Sequence, residues 1–247
     1  MNEIIHDSVS DTARGPGRGL LSVVIPAYNE ERFIATTLQR VLDVDLAALG
    51  FNREVIVVDD HSSDGTAAIV RTFPDVTLHQ LSRQSGKGGA VRAGVDLARG
   101  EYLVIQDADL EYDPQDVIAM LRALESSGAD AVYGSRYVDA AKRPRQSRLA
   151  YLGGRSLSVA VKLLTGQWVS DVTTALKLMP LSLLRSLALS SSGFELEAEL
   201  TIKLLARGCR IVEVPISYEP RTRAEGKKVG FPDLVRSLAA LARFRRG

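Results

Sequence analysis

The sequence contains one cysteine, Cys209, and three histidines scattered at positions 6, 61 and 79. A lone thiol excludes an intramolecular disulfide and a cysteine-rich zinc site, and the dispersed imidazoles argue against a histidine-built metal centre. Cys209 sits in Arg207-Gly208-Cys209-Arg210-Ile211-Val212 and reads as a small buried apolar residue. No run reaches about 18 uninterrupted apolar residues, so no membrane-spanning helix is expected. Charge of one sign is also missing. The 31 Lys+Arg and 30 Asp+Glu leave a net +1, which argues against a nucleic-acid binder with a strongly basic face. Residues 1–19 mix charge with Gly, Pro and Ser around no apolar centre, which makes them neither signal peptide nor anchor but an expected flexible tail. These absences lead to the expectation of a protein made and kept in the cytoplasm.

Two phosphate-binding signatures are absent as well. A dinucleotide enzyme needs a GxGxxG turn after its first strand, to bring pyrophosphate to a helix N-terminus. Here that turn reads Pro26-Ala27-Tyr28-Asn29-Glu30, with no glycine and an added acid. No GxxxxGK[ST] loop occurs either. Gly86-Lys87-Gly88-Gly89 opens a helix, and it reads as a loop whose backbone and Lys87 approach a diphosphate.

What is present is ordinary globular material. The 247 residues are 45% hydrophobic and 25% charged, enough for one large α/β domain or two small ones. Apolar β-branched runs at Leu20–Pro26, Glu54–Asp60, Val76–Leu81 and Tyr102–Gln106 read as strands. Helices are expected between them, the first capped by Asn29 and running to Leu42, the others over Ala67–Phe73 and Gly86–Ala98. Such alternation predicts a mostly parallel sheet flanked by helices, with ligands beyond the strands' carboxyl ends. Downstream, Pro114–Leu124 reads as helix and Ala129–Gly134 as a fifth strand. Asp171–Lys177 reads as a return strand, Phe194–Ala206 as helix and Ile211–Tyr218 as the last strand. Leu149–Trp168 reads either as a core helix or as a helix resting on a membrane surface. The same alternatives hold for Leu234–Arg246, which places Leu234, Leu238 and Leu241 on one side and ends in Arg243, Arg245 and Arg246.

The most informative stretch is Gln106-Asp107-Ala108-Asp109-Leu110-Glu111, which follows Tyr102-Leu103-Val104-Ile105. On an extended backbone residues two apart point the same way, so the three acids are expected to converge. Like charges that close repel unless a cation sits among them. A divalent metal held by carboxylate oxygens, with a phosphorylated ligand completing its shell, is the chemistry that fits. Basic residues gather later, at Arg136, Lys142, Arg143, Arg145 and Arg148, and again at Arg221, Arg223, Lys227 and Lys228.

Seven pieces in order carry a resemblance. They are Val24-Ile25-Pro26-Ala27-Tyr28-Asn29-Glu30-Glu31, Val57-Val58-Asp59-Asp60-His61-Ser62-Ser63-Asp64-Gly65-Thr66, Gly86-Lys87-Gly88-Gly89-Ala90, Asp107-Ala108-Asp109-Leu110-Glu111, Gly134-Ser135-Arg136-Tyr137, Asp171-Val172-Thr173-Thr174 and Cys209-Arg210-Ile211-Val212-Glu213-Val214-Pro215-Ile216. With them the chain resembles family 2 glycosyltransferases of the GT-A fold, and among these the dolichyl-phosphate mannose and glucose synthases. The likeness implies one GT-A domain over residues 20–231; beyond it the residue pattern itself reads as an amphipathic basic helix at 232–247. It further implies that Pro26, Tyr28, Glu30 and Asp60 hold the nucleobase and ribose of a UDP- or GDP-sugar, with Lys87 near the nucleotide. Asp107 would touch ribose or metal, Asp109 would be the chief Mg2+ or Mn2+ ligand, and Glu111 a further metal ligand. Arg221 and Lys227 would close over the diphosphate. Arg136, with one of Arg143, Arg145 and Arg148, would bind the phosphate of a polyprenyl phosphate acceptor.

The resemblance is incomplete. Relatives show Ser-Gly-Phe-[Arg/Lys] where this chain has Thr174-Ala175-Leu176-Lys177, and many append membrane helices. Three readings follow. An inverting transferase would use a polyprenyl phosphate, which is already anionic and needs arginines rather than a base. A transferase acting on a hydroxyl would need a carboxylate base, with Asp171, Glu195 and Glu197 as candidates. The third reading is a nucleotide-sugar-binding module without catalysis. No nucleic acid is expected as a partner, whereas peripheral contact with the inner face of the plasma membrane, or with a membrane protein, is.

Overall fold

The first strand, β1 (Gly19–Ala27), lies between β2 (Phe51–Asp59) and β4 (Tyr102–Ile105) and is parallel to both, so that Val24 faces Ile56 on one side and Ile105 on the other. The structure is a computed structural model describing residues 19–139, 148–221 and 230–245, with side chains at all of these but 148–150. Beyond β2 lies β3 (Val76–Gln80), also parallel. On the other side β6 (Lys177–Pro180) runs antiparallel between β4 and β5 (Ala131–Ser135), and β7 (Ile211–Pro215) closes the sheet parallel to β5. The order is β3-β2-β1-β4-β6-β5-β7.

Alternation along the strands builds two cores. Val24, Ile56, Val58, Leu103 and Ile105 point to one face. There they meet α3 (Gly86–Leu97), α5 (Arg148–Thr165), α6 (Leu181–Ser186), α7 (Leu196–Ala206) and α8 (Phe231–Phe244). Leu21, Val23, Ile25, Val55, Val57 and Val104 point to the other, against α1 (Ile34–Leu42), α2 (Thr66–Val70) and α4 (Asp116–Ser127). Burial on both faces explains why these strands read as unbroken apolar runs.

Several boundaries differ from those expected. Asn29 does not cap a helix. It adopts a left-handed φ of 51°, its Oδ1 accepts from the Ser63 N–H at 2.9 Å, and α1 begins one turn later at Ile34. Residues 171–176 form a turn rather than a strand, and pairing begins at Lys177, where Ile105 and Tyr133 supply partners. Cys209 is half-buried at the core margin rather than enclosed. The leucine stripe expected on the last helix divides: Leu241 is buried, whereas Leu238 lies at the surface with Phe231 and Val235.

This topology fixes where chemistry can happen. The carboxyl ends of β1, β2, β4, β5 and β7 share one edge of the sheet, and β6, running the other way, begins there. Loops after Ala27, Asp59, Ile105, Ser135 and Pro215, and the turn before Lys177, therefore converge.

Candidate active site

Two of the converging loops are laced together before any ligand is considered. The Asn29 N–H donates to Ser62 Oγ at 2.9 Å, the Glu30 N–H to Thr66 Oγ1 at 2.8 Å, and the Gly65 N–H to Glu31 Oε2 at 2.8 Å. Pro26 and Tyr28 are half-exposed at this rim, and Glu30 is buried. Asp60 is buried with both oxygens engaged: Oδ1 accepts from the Ser85 N–H at 2.6 Å, and Oδ2 from the Gly86 N–H at 2.8 Å. It thereby anchors the start of α3 on the end of β2.

The glycines of that start serve a backbone approach that the sequence reading assigned to a diphosphate. A Cβ at Gly88 would lie 2.5 Å from the Ser191 carbonyl oxygen, and the Gly89 N–H donates to Ser192 O at 3.2 Å. With Gly86 N–H committed to Asp60, these amides face the chain's own 191–193 loop. That packing carries Phe194 and Glu197 up to Lys87. The Lys87 ammonium lies 2.7 Å from Asp107 Oδ1 and 3.2 Å from Glu197 Oε1, with the Phe194 ring 5.7 Å away. Burial acts to lower the Lys87 pKa, but the two carboxylates outweigh it and hold the group above the ordinary lysine value.

The three acids after β4 do not converge on one point. Among the described residues no group of three His, Cys, Asp or Glu side chains is placed to hold a metal. Asp107 turns to Lys87. Asp109 Oδ2 accepts from Arg221 Nη2 at 2.6 Å, while its Oδ1 takes the Glu111 N–H at 3.1 Å. Glu111 accepts from the Tyr218 hydroxyl at 2.8 Å and the Arg221 N–H at 2.7 Å. The expected three-acid cage is thus opened by residues from the far end of the chain, and Glu111 acts as a tether for the segment after β7. Arg221 also reaches Glu30 Oε2 at 3.0 Å and covers the Phe33 ring. Burial, Asp107 and Glu111 push the Asp109 carboxyl up to about 7 against the lowering effect of Arg221. The donor set at this spot, Asp107 and Asp109, offers carboxylate oxygens of the kind a hard divalent cation takes, each held in this structure by a cation of the chain itself, Lys87 and Arg221.

On the other side of the opening stands Arg136, just past β5. Its Nε donates to Asp171 Oδ2 and its Nη2 to Asp171 Oδ1, each at 2.6 Å, and Nη2 also reaches Thr173 Oγ1 at 2.7 Å. The guanidinium lies 4.9 Å from the Tyr218 ring centroid and 5.5 Å from that of Tyr137. Burial would raise the Asp171 pKa, yet Arg136 overrides it and holds the carboxyl below its usual range. Glu213 of β7 pins the same turn, accepting from the N–H groups of Ser170 at 2.7 Å and Asp171 at 2.9 Å. Glu195 lies before α7, its Oε1 accepting from the Gly193 N–H at 3.0 Å.

The structure therefore brings Glu30, Asp60, Lys87, Asp107, Asp109, Glu111, Arg136, Asp171, Glu197 and Arg221 to one sheet edge. Lys227, Arg143 and Arg145 lie outside the described residues, as does the side chain of Arg148. The sequence reading missed Lys177, Glu213 and the tilted ring pair Tyr112 and Tyr218, whose centroids are 5.1 Å apart. Lys177 carried a signal, a single cation within the apolar run Ala175-Leu176-Lys177-Leu178-Met179.

Comparison with known proteins places this geometry in context. The profile described as Glycosyl transferase family 2 matches residues 22–185. The chain is 33% identical over 220 residues to an undecaprenyl-phosphate mannosyltransferase of Micrococcus luteus, covering 84% of this chain and 86% of that one. It is 30% identical to a polyprenol monophosphomannose synthase of Mycolicibacterium smegmatis, covering 84% and 80%. It is equally 30% identical to a dolichol-phosphate mannosyltransferase of Pyrococcus furiosus, of whose length it spans 59%. Among solved structures, glucosyl-3-phosphoglycerate synthase from Mycobacterium tuberculosis, in complex with Mn2+, UDP and glucosyl-3-phosphoglycerate, superposes with a TM-score of 0.70. The identity is 22%, over 91% of this chain and 79% of that one, a likeness of fold.

Proposed function

The chain is a member of glycosyl transferase family 2, and from that membership we propose that it moves a hexose from a UDP- or GDP-sugar to a polyprenyl phosphate, with inversion at the sugar carbon and with Mg2+ or Mn2+ as cofactor. The observation that carries the choice of acceptor is the state of the carboxylates. Asp171 accepts four hydrogen bonds, from the Arg136 N–H, Nε and Nη2 and from Thr173 Oγ1, and Glu197 is held between Lys87 and Lys177. Neither of these two is placed to take a proton from a hydroxyl, whereas the third candidate base, Glu195, keeps a buried oxygen, Oε2, without a hydrogen bond among the described residues. An acceptor phosphate is already anionic and needs no base.

Each charged side chain then has a task. Glu30 and Asp60 shape the nucleoside side of the opening, with Pro26 and Tyr28 at its rim. Lys87 stands between Asp107 and Glu197 where the sugar diphosphate enters. Asp109, with Asp107, would hold the divalent cation, which supplies charge neutralisation for the departing nucleoside diphosphate. Arg221 would add a second positive charge to the same leaving group, with Lys227 as its proposed companion. Arg136, held rigid by Asp171 and two aromatic rings, presents a preorganised cation toward the acceptor phosphate. Arg148 is proposed as its companion.

A lipid acceptor also requires access to a membrane surface. The outer sides of α5 and α8 expose Leu152, Val159, Leu163, Phe231 and Val235, with Arg236, Arg243 and Arg245 beside them. No helix among the described residues is long and apolar enough to cross a membrane. These features support peripheral contact with an anionic lipid surface at the inner face of the plasma membrane.

The test is transfer of radiolabelled sugar from UDP- and GDP-hexoses to a polyprenyl phosphate, with Mn2+ and with EDTA. The expected product partitions into organic solvent and is labile to mild acid. Transfer only to water-soluble alcohols would overturn the reading.

A further inference from the structure

Beneath the site described above lies a fully buried cation with no role in it so far. Lys177 opens β6, and because that strand runs antiparallel, its first residue lies beside the carboxyl ends of β4 and β5. Its side chain is wholly enclosed. An ammonium has three N–H donors, and here each has an acceptor: Val172 O at 3.2 Å, Thr174 O and Glu197 Oε2. The Tyr133 ring lies 4.8 Å from the same nitrogen. With no face open, Lys177 can reach neither substrate nor a leaving group.

Its contacts nonetheless lead to the site in two directions. Glu197 bridges two ammoniums, taking Lys177 on Oε2 and Lys87 on Oε1 at 3.2 Å, and Lys87 continues to Asp107 at 2.7 Å. The result is a line of alternating charges, Lys177, Glu197, Lys87 and Asp107, running from the interior to the opening. The carbonyls of Val172 and Thr174 belong to the turn whose Asp171 and Thr173 hold Arg136. Among the described residues Glu197 has no backbone partner for either oxygen: Oε2 accepts from Lys177, and Oε1 has only the Lys87 ion pair. Removing the inner one leaves a buried carboxylate with a single partner, free to collapse onto Lys87 and draw it from Asp107.

Resting on the transferase reading above, we infer that Lys177 is a positioning residue that sets the Lys87 ammonium through Glu197 and so tunes affinity for the donor nucleotide. The test is a double-mutant cycle on UDP and GDP binding, measured by calorimetry for wild type, K177M, K87M and the double variant. K177M is expected to weaken nucleotide binding by about tenfold, within the coupling range of contacting residues, and to weaken it no further once Lys87 is gone. Additive losses would overturn the proposal. Should K177M fail to fold, E197Q, which keeps the side-chain shape and removes the charge, replaces it in the same cycle. Nitrogen-15 lysine spectra give a readout independent of nucleotide. The Lys87 ammonium signal, assigned by its loss in K87M, is expected to shift in K177M or E197Q, and an unmoved signal overturns the inference. If wild type binds neither nucleotide while the Lys87 signal shifts, the transferase reading fails and the positioning of Lys87 stands.

Discussion

Arg221 reaches across 112 residues of sequence to place Nη2 2.6 Å from Asp109 Oδ2, and the same guanidinium lies 3.0 Å from Glu30. An internal cation thus sits on the acid proposed as the metal ligand. In this structure that arginine stabilises two buried carboxylates; on the proposed function the same charge would then serve the diphosphate of the donor. R221A should therefore move binding and turnover in opposite directions. Mn2+ affinity without nucleotide, followed by titration of the free-ion electron spin resonance signal, should tighten by about tenfold, the worth of one charge-assisted hydrogen bond no longer broken. Transfer should fall by about a hundredfold, as for loss of one electrostatic donor to a leaving group. Weaker Mn2+ binding in R221A would show that the arginine is not a competing cation.

The second prediction concerns the cost of keeping Asp109 ionised. With a folded-state pKa of about 7 against an ordinary value of about 4, the folded chain prefers the protonated acid. Its contribution to stability is therefore most favourable at low pH and is lost as pH rises from about 4 to about 7. In EDTA, D109N should melt above wild type at pH 8, and the gap should close on acidification toward pH 4. Transfer by D109N should be abolished at both values. A variant that melts below wild type at pH 8 would mean that the Arg221 pair outweighs burial and the neighbouring acids.

How much of this was legible depended on where each residue's partner lies. Asp59, Asp60, Asp107 and Asp109 follow apolar runs, so the strand-end rule located them from local pattern alone. Glu111 follows the same pattern, yet its fate is set by Tyr218 and Arg221, more than a hundred positions away. Period-two alternation cannot see such partners. Gly86 and Gly88 were read as part of a loop whose backbone approaches a diphosphate, whereas the group that approaches them in the structure is the 191–193 loop, which only the tertiary fold brings near. Lys177 was hidden for a related reason. The turn at 171–176 and the strand after it form one continuous run in sequence, and pairing with Ile105 and Tyr133 decides where the strand starts.

The pairing of Arg136 with Asp171 gives a third prediction, which separates a structural carboxylate from a catalytic base. D171N leaves the buried Arg136 charge without its counter-ion and should cost about 3–5 kcal/mol of stability. A hydroxyl-activating base would instead show lost turnover at an unchanged melting temperature. Because the Asp171 pKa is depressed in the folded state, the pair's contribution is complete above the usual carboxylate range and is lost as pH falls through the lowered value. The wild-type advantage over D171N in thermal unfolding should accordingly shrink in strong acid. An unchanged melting temperature in D171N with abolished transfer would favour the hydroxyl acceptor.

The last prediction tests the outer faces of α5 and α8. Leu163 and Val235 are 81% and 52% exposed, so neither contributes much to folding, and L163D/V235D should leave the melting temperature within about a degree or two. Their proposed contact is lipid, where a buried carboxylate is costly and an anionic surface repels it. Arg236, Arg243 and Arg245, on the helix that carries Val235, should add an attraction that salt weakens. Co-sedimentation of wild type with vesicles containing phosphatidylglycerol should therefore fall with ionic strength, and that of the double variant should fall by about tenfold at low salt. Transfer to a short-chain, water-soluble prenyl phosphate should survive, because both positions lie outside the site built around Asp109 and Arg136. Equal sedimentation of variant and wild type would remove these helices as the lipid contact. Loss of transfer to the soluble acceptor would place the two residues in the acceptor path itself.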